Sequence, residues 1–237
     1  MSDTAVISRI RAELERNVDP VYREGARKYF KDGIKLHGVR GPVLSGIAAD
    51  HYALIKRQPK AEIFALCEKL FQCGQSEETS IALNWAWRLR RKLEPSDFPL
   101  LERWLKTYID GWGSCDGFCT KAFGHFLLSY PQYLPKLEQW ARSKNKWLRR
   151  ASAVVLILPV RQRKYLPEVF KIADLLLEDK EDLVQKGYGW MLKEASNRSP
   201  DEVFAYVMEH KARMPRTALR YAIEKMPPAR KKQAMAK

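Results

Sequence analysis

The chain has 237 residues, of which 46% are hydrophobic, so it is long and apolar enough to bury a sizeable core. Its 43 Lys and Arg against 28 Asp and Glu leave a formal net charge of +15, which predicts an anionic partner. Nucleic acid is the first candidate, because 7 Trp and 10 Tyr accompany the basic residues and can stack on bases. A merely soluble basic protein is the alternative that composition leaves open.

The sequence argues against a membrane protein. No stretch approaches the roughly 18 apolar residues of a membrane span, and the best one, residues 151–160, has about half that length. Residues 1–17 carry charges throughout and lack the apolar centre of a signal peptide. We therefore expect a cytoplasmic protein with no membrane partner, whose four cysteines are reduced thiols.

Helical periodicity runs through the whole chain. Apolar residues recur at three- and four-residue intervals in six segments, with Pro, Gly, Asn, Ser or Asp between them. In chain order the predicted helices are 61–71, 77–91, 98–108, 146–156, 166–177 and 183–194. Strand signals are scarce, because few segments alternate apolar and polar residues. We predict an all-α fold that ends in a short helix within residues 227–237.

The predicted helices also repeat. A shift of 36 residues lays 101–104 (LERW) on 137–140 (LEQW) and 148–151 (LRRA) on 184–187 (VQKG), and a shift of 34 lays 168–170 on 202–204 (both EVF). Such a period, with two helices per unit, is typical of helical solenoids. We predict about six units within one domain spanning 1–237, since no interior stretch looks like a linker. Chance matches within an ordinary helical bundle are the alternative.

Basic residues form four groups that could share one face of a stacked array. The groups are Arg88, Arg90, Arg91 and Lys92; Arg142, Lys144, Lys146, Arg149 and Arg150; Arg161, Arg163 and Lys164; Arg213, Arg216 and Arg220. Such a track would neutralise several phosphates and make DNA binding salt-dependent. Each group taken separately is also compatible with a solvated surface.

Residues 111–119 (GWGSCDGFC) read as a loop that enters a helix, with Ser114 as its N-cap. Asp116 would then lie in the first turn, where the helix dipole favours an ionised carboxylate, and Trp112 just outside it. A carboxylate beside an indole is suited to stabilising a sugar cation. An ordinary acid at a helix N-terminus is an equally good reading of this spacing.

Cys115 and Cys119 lie one turn apart, and with His125 nearby they invite a metal interpretation. We favour buried structural thiols and no metal, because the other two cysteines, Cys67 and Cys73, lack a usual ligand spacing.

Two glycines, Gly187 and Gly189, stand within a predicted helix just before Trp190. Glycine destabilises a helix interior by about 1 kcal/mol relative to alanine. Either close packing of a neighbouring helix or the approach of a DNA backbone would explain them.

The ordered set of these motifs is similar to the AlkD-type DNA alkylation repair glycosylases. The matching residues are Trp112 with Asp116, then 147–151 (WLRRA), then 185–192 (QKGYGWML), and upstream Ala26, Arg27, Tyr29 and 38–42 (GVRGP). No single motif is specific, but the resemblance spans most of the chain, from about Val21 to Tyr206.

The resemblance implies a right-handed superhelix of HEAT-like repeats with a concave, basic DNA groove. It further implies excision of positively charged N3- and N7-alkylpurines from double-stranded DNA by hydrolysis of the N-glycosidic bond, without a cofactor or metal. Base excision repair of this kind would place the protein at the nucleoid, and we expect a monomer because the groove must stay open.

Carried over residue by residue, the resemblance makes Asp116 the catalytic carboxylate, with Trp112 and Trp190 flanking the lesion sugar. Arg150 would hold a phosphate near the lesion. The expected DNA contacts also include Trp147, Arg149, Lys186, Tyr29 and Arg40. One departure from the family is Gly113, which stands where many members have a second acid.

Two other functions stay open from the sequence. One is a non-catalytic HEAT-like binder of damaged or branched DNA, and the other is a HEAT-like scaffold for an acidic protein. Asp116 favours the enzyme over the pure binder, because a carboxylate facing phosphates weakens binding by like-charge repulsion.

Overall fold

A computed structural model describes residues 3–30 and 33–236, and among these it contains helices, turns and loops but no strand. The α-helices are α1 (Asp3–Arg16), α2 (Pro20–Tyr29), α3 (Gly41–Ile55), α4 (Lys60–Gln72), α5 (Ser76–Arg88), α6 (Phe98–Thr107), α7 (Trp112–Phe118), α8 (Gly124–Ser129), α9 (Lys136–Ala141), α10 (Lys146–Val154), α11 (Ile157–Arg161), α12 (Leu166–Leu176), α13 (Asp182–Ser196), α14 (Pro200–His210), α15 (Arg216–Ala222) and α16 (Pro228–Met235). A π-helical segment, Cys119–Phe123, joins α7 to α8. Short 3-10 turns cover Arg90–Lys92, Pro95–Asp97 and Pro131–Tyr133.

The all-α prediction is confirmed. Each of the six segments predicted from periodicity is a helix whose bounds differ from the prediction by at most three residues, as α4, α5, α6, α10, α12 and α13 show. The expected C-terminal helix is α16. None of the helices in the described part of the chain is long and apolar enough to cross a membrane.

The described residues pack as two compact units, the first reaching to Leu93 and the second beginning at Glu94. In the first unit α4 packs on α5, while α3 packs on α1 and α5. Its core contains Leu14, Ile55 and Leu66, and the buried Trp85 indole donates to the Ala48 carbonyl at 2.9 Å. The single domain expected over 1–237 stays a prediction.

The second unit is a stack of helix pairs in two layers. One layer contains α6, α9, α12, α14 and α16, and the other contains α7, α8, α10, α11, α13 and α15. Within the second layer α10 packs between α7 and α13, and α13 packs on α15. Pairing across the layers joins α9 to α10, α12 to α13, and α13 to α14.

The repeats predicted from the sequence match this layering. The segments 101–104 and 137–140 belong to α6 and α9, 168–170 and 202–204 to α12 and α14, and 148–151 and 184–187 to α10 and α13. Each match therefore joins two helices of the same layer. The residues repeat because each unit buries its apolar face against the next one.

Aromatic residues fill the core near the start of the second unit. Phe98 stacks on Tyr133 with ring centroids 4.3 Å apart, and Phe123 meets Trp140 edge to face at 5.2 Å. Phe118 and Phe123 are fully buried. This core supports the helix that begins at Trp112.

Candidate active site

Helix α10 places an arginine inside the second layer. Asn145 caps the helix by accepting the N–H of Trp147 at 2.8 Å, and Leu148 and Ala151 are buried beneath it. Successive residues of a helix project about 100° apart, so Arg149 and Arg150 leave α10 in different directions. Arg150 is 5% exposed and lies among α7, α10 and α13.

The guanidinium of Arg150 holds the carboxylate of Asp116 in a bidentate pair. Nε donates to Oδ1 at 2.8 Å and Nη2 donates to Oδ2 at 2.8 Å, while Nη1 donates to the backbone carbonyl of Leu183. The side chains are 6% and 17% exposed for Arg150 and Asp116 respectively. Two parallel N–H···O bonds fix the plane of the carboxylate as well as its position.

The negative charge of Asp116 stabilises the positive charge of the Arg150 guanidinium. Burial by itself would lower the pKa of Arg150, but the hydrogen bonds and the negative charge of Asp116 outweigh it and raise that pKa. The guanidinium is therefore charged at every physiological pH.

Helix α7 begins earlier than the sequence predicted. Gly111 is extended (φ −143°, ψ 157°) and precedes the first helical residue, Trp112, so the proposed N-cap at Ser114 is wrong. Ser114 instead lies within the first turn, and its hydroxyl donates back to the carbonyl of Gly111 at 3.0 Å. Asp116 is consequently in the second turn, where the helix dipole acts on it less than expected.

The earlier start brings Trp112 onto the helix. Trp112 and Asp116 are four residues apart within α7 and therefore share one face of it. The indole of Trp112 is partly exposed. A helix face with an aromatic ring next to a carboxylate is the arrangement that the sequence motif suggested.

Trp190 approaches the same region from α13. It lies three residues after Gly187, the residue whose α-carbon faces the Arg150 side chain, so both are on one face of α13. Its indole is partly exposed, and Nε1 donates to Glu194 Oε1 at 3.0 Å. The two tryptophans and the ion pair thus come from three neighbouring helices of one layer.

Both glycines of α13 are explained by close packing. A β-carbon on Gly187 would lie 3.1 Å from Cγ of Arg150, and one on Gly189 would lie 2.7 Å from Cβ of Tyr221. Of the two explanations left open by the sequence, the structure supports the approach of neighbouring helices. For Gly187 the neighbour is the side chain that holds Asp116.

The cysteine pair next to the site is buried. Cys115 and Cys119 are free thiols with no exposed surface, and no cluster of potential metal ligands occurs within residues 3–30 and 33–236. Burial raises the pKa of Cys119 well above its ordinary value, and the neighbouring Cys115 and Asp116 raise it further. Both thiols are therefore buried packing groups next to the site.

Three further residues of this unit that are predicted to bind DNA differ in their contacts within the protein. Trp147 is partly exposed, with Nζ of Lys146 5.2 Å from its ring centroid. Arg149 is bonded to Asp179 (Nε to Oδ2, 2.6 Å) and to the carbonyls of residues 143 and 144. Lys186 is partly exposed and pairs with Asp182 at 2.6 Å.

Two predicted DNA contacts belong to the first unit. Tyr29 is 69% exposed at the end of α2. Arg40 precedes α3, and its Nε donates to Oδ2 of Asp19 at 2.7 Å. Each is accessible, and the DNA contact of each stays a prediction.

Sequence reasoning missed two parts of this region. It predicted that Arg150 binds a phosphate and did not foresee the pair with Asp116. Gly187, which lies opposite Arg150, was a signal that another group comes close to α13. It also missed Glu194, which binds the indole of Trp190. Four-residue spacing of Trp190 and Glu194 on a helix was the available signal.

Paired helices repeated in two layers define a HEAT-like helical repeat protein. The chain belongs to the family of DNA alkylation repair enzymes, whose family model matches residues 10–226. DNA alkylation repair is therefore its general role, and DNA its partner.

Solved structures share this fold at low sequence identity. A predicted DNA alkylation repair enzyme from Enterococcus faecalis superimposes with a TM-score of 0.80 at 17% identity, covering 90% of this chain and 98% of its own. AlkD2 from Streptococcus mutans gives 0.63 at 18% identity, covering 94% and 99%. The protein smu.31 from Streptococcus mutans UA159 gives 0.57 at 18% identity, covering 90% and 98%. No curated protein matches the sequence of this chain.

Proposed function

We propose that the protein is a DNA glycosylase that excises positively charged N3- and N7-alkylated purines from double-stranded DNA. The observation that carries this proposal is the Asp116 carboxylate, fixed by two hydrogen bonds from Arg150 yet 17% exposed. Membership of the DNA alkylation repair family and the resemblance to AlkD-type glycosylases support the same activity.

The proposed reaction breaks the bond between C1′ and the alkylated base. The base leaves with the bonding electrons, which neutralise its positive charge, and the sugar becomes cationic at C1′. Asp116 stabilises that cation and orients the water that adds to C1′ with loss of a proton. A preorganised carboxylate is effective here because its position needs no rearrangement as the charge develops.

Arg150 acts in this proposal by holding Asp116. Its pair with the carboxylate uses two of about four acceptor sites on the two oxygens and leaves the remainder for a cation or a water. The phosphate contact expected of Arg150 from the sequence would have to coexist with these bonds. Trp112 and Trp190 would flank the sugar, where an indole face attracts a cation and excludes water.

The proposal needs no cofactor or metal, because the leaving group is already activated by its own charge. The partner is duplex DNA with alkylated bases, bound by exposed basic residues such as Lys186 and Arg40. Binding of this kind falls as salt rises. A monomer acting at the cytoplasmic nucleoid completes the proposal.

The test is release of 7-methylguanine and 3-methyladenine from methylated duplex DNA by the wild type and by Asp116→Asn. We expect release by the wild type and a rate at least about tenfold lower in the variant, which corresponds to ~1.4 kcal/mol of barrier. Asp201→Asn is the matched control, since it changes an exposed aspartate that also pairs with an arginine, Arg230. Its rate should equal that of the wild type.

A non-catalytic binder of damaged or branched DNA would give a different result. Neither the wild type nor Asp116→Asn would release a base, and both would retain salt-sensitive DNA binding. That outcome would reject the glycosylase activity for these lesions.

A further inference from the structure

Glu194 connects the indole of Trp190 to a basic residue of the neighbouring helix. Its Oε1 accepts Nε1–H of Trp190 at 3.0 Å, and its Oε2 accepts Nε–H of Arg161 at 2.9 Å. Trp190 and Glu194 are one turn apart in α13, and Arg161 is the last residue of α11. The carboxylate thus has one oxygen for each partner.

This carboxylate is more enclosed than those of ordinary surface pairs. The Glu194 side chain is 15% exposed, whereas Glu178, which pairs with Arg213, is 56% exposed and Glu224, which pairs with Lys193, is 49% exposed. The hydrogen bond from Arg161 and the one from Trp190 lower the pKa of Glu194, so it stays ionised. Enclosed, charged acceptors make stronger hydrogen bonds than exposed ones.

A hydrogen bond at Nε1 restricts the indole in a way that packing alone does not. It fixes the rotation of the ring about its bond to Cβ, because the donor must keep pointing at Oε1. It also affects the electrons of the ring, since donating a proton to an anion makes the π face more negative. A more negative face attracts a cation more strongly.

We propose that Glu194, braced by Arg161, is a positioning residue that orients and polarises Trp190 toward the cation formed during base release. The inference rests on the proposed glycosylase function, because it needs a cationic sugar or base at the Trp190 face. Glu194 acts through the indole and does not touch the substrate. Its effect therefore belongs to the chemical step more than to DNA affinity.

The experiment compares Glu194→Leu and Glu194→Gln with the wild type in single-turnover release of 7-methylguanine at saturating enzyme. Leucine removes the acceptor, and we expect the rate to fall about tenfold. Glutamine keeps a neutral acceptor, and we expect a fall of about threefold. The dissociation constant for methylated DNA should stay within about twofold of wild type in both variants.

Glu224→Gln is the matched control. It makes the same chemical change in a carboxylate that pairs with Lys193, the residue directly before Glu194, and that has no bond to Trp190. Its release rate should equal that of the wild type. Equal losses in Glu224→Gln and Glu194→Gln would overturn the inference, because any charge change near α13 would then suffice.

A readout independent of activity is the indole ¹H–¹⁵N signal of Trp190, assigned as the one missing in Trp190→Phe. In Glu194→Leu we expect the Nε1–H resonance to move upfield and its hydrogen exchange to accelerate, with Glu224→Gln unchanged. An unchanged signal overturns the inference even if the rate falls, because the loss would then have another cause.

The outcomes separate the two proposals. If the wild type releases no base, the proposed function fails before any variant is compared, and the indole signal alone decides whether Glu194 holds Trp190. If the wild type is active and Glu194→Leu releases base at the same rate, the positioning role fails and the glycosylase activity stands.

Discussion

Two carboxylate sites, one in each compact unit, differ in their hydrogen-bond donors and in how far they are exposed to solvent. In the first unit Glu77 accepts the backbone N–H groups of His37, Gly38 and Val39 at 3.0, 2.8 and 3.1 Å. Its neighbour Glu78 accepts Nε and Nη2 of Arg11. Glu77 thus uses three of its about four acceptor sites, and the Glu78 side chain is only 2% exposed.

Asp116 in the second unit accepts fewer hydrogen bonds than Glu77 and, although one guanidinium holds it as another holds Glu78, it faces solvent more. Its side chain is 17% exposed, against 2% for Glu78, and the guanidinium of Arg150 supplies the two hydrogen bonds described for its oxygens. A carboxylate enclosed among donors from distant segments joins those segments of the chain. A fixed carboxylate with free acceptor sites can in addition stabilise a charge that forms next to it.

Among the substitutions that test this comparison, removal of Arg150 should have the largest effect on stability and on base release. Arg150→Met leaves the Asp116 carboxylate without its cation and the Leu183 carbonyl without its donor. Breaking a buried pair on one side destabilises a protein by about 3–5 kcal/mol, and here the exposure of Asp116 places the loss near ~3 kcal/mol. Base release should fall more than about tenfold, since the carboxylate loses its fixed position.

Urea unfolding and single-turnover release measure the two effects of Arg150→Met separately. Arg149→Met is the matched control on the same helix, and it removes the pair with Asp179 instead. We expect that control to lose stability and, because Arg149 is a predicted DNA contact, affinity for DNA, but to keep the wild-type rate in the folded protein at saturating enzyme. A control rate as low as that of Arg150→Met would mean that any disruption of α10 abolishes activity.

Glu78→Gln should lower the stability of the protein but leave its release rate unchanged, and its effect should be smaller than that of Arg150→Met. The substitution keeps the shape of the side chain but removes the charge that holds Arg11, so we expect unfolding to become easier by about 2 kcal/mol. Arg11 is 44% exposed and can be solvated by water, which limits the loss. The release rate should stay within about twofold of wild type, as measured at a temperature where the variant is folded.

A lower release rate in folded Glu78→Gln would contradict the distinction between the enclosed Glu78 and the more exposed Asp116. The same amide substitution at Asp116 gives the reference value for loss of a negative charge at the proposed site. The pair of variants therefore compares one chemical change at two positions.

The sequence predicted the helices well because their apolar spacing is a local property. The segment 183–194 lies entirely within α13, and 166–177 extends only one residue beyond α12. The prediction of an N-cap at Ser114 was wrong because glycine, like serine and asparagine, can precede the first turn of a helix. The extended backbone of Gly111 and the bond from Ser114 back to it decided the outcome.

The pairing of side chains could not be predicted from local spacing. Glu77 and Glu78 look like ordinary acids in the first turn of α5, yet their partners lie 38 to 67 residues away in the sequence. Arg150 and Asp116 are 34 residues apart, which is close to one repeat period. Local spacing therefore did not reveal that Arg150 has a partner in the preceding repeat, and its contact with a DNA phosphate stays a prediction.

The smallest expected effect, and the finest test of how Arg150 holds Asp116, comes from Gly187→Ala. The new β-carbon would lie 3.1 Å from Cγ and 3.3 Å from Nη1 of Arg150, so the guanidinium must shift by a few tenths of an ångström. Alanine favours the helix by about 1 kcal/mol, which offsets the crowding and leaves the free energy of unfolding close to wild type. The displaced carboxylate should nevertheless lower the release rate by about threefold.

Gly46→Ala controls for the helix effect, because a β-carbon there meets nothing within 4 Å. It should raise the free energy of unfolding by about 0.5–1 kcal/mol and leave the rate unchanged. If Gly187→Ala also kept the wild-type rate, the position of Arg150 to within a few tenths of an ångström would not matter for the reaction. Asp116 would then act through its charge alone, and the bidentate geometry would serve stability.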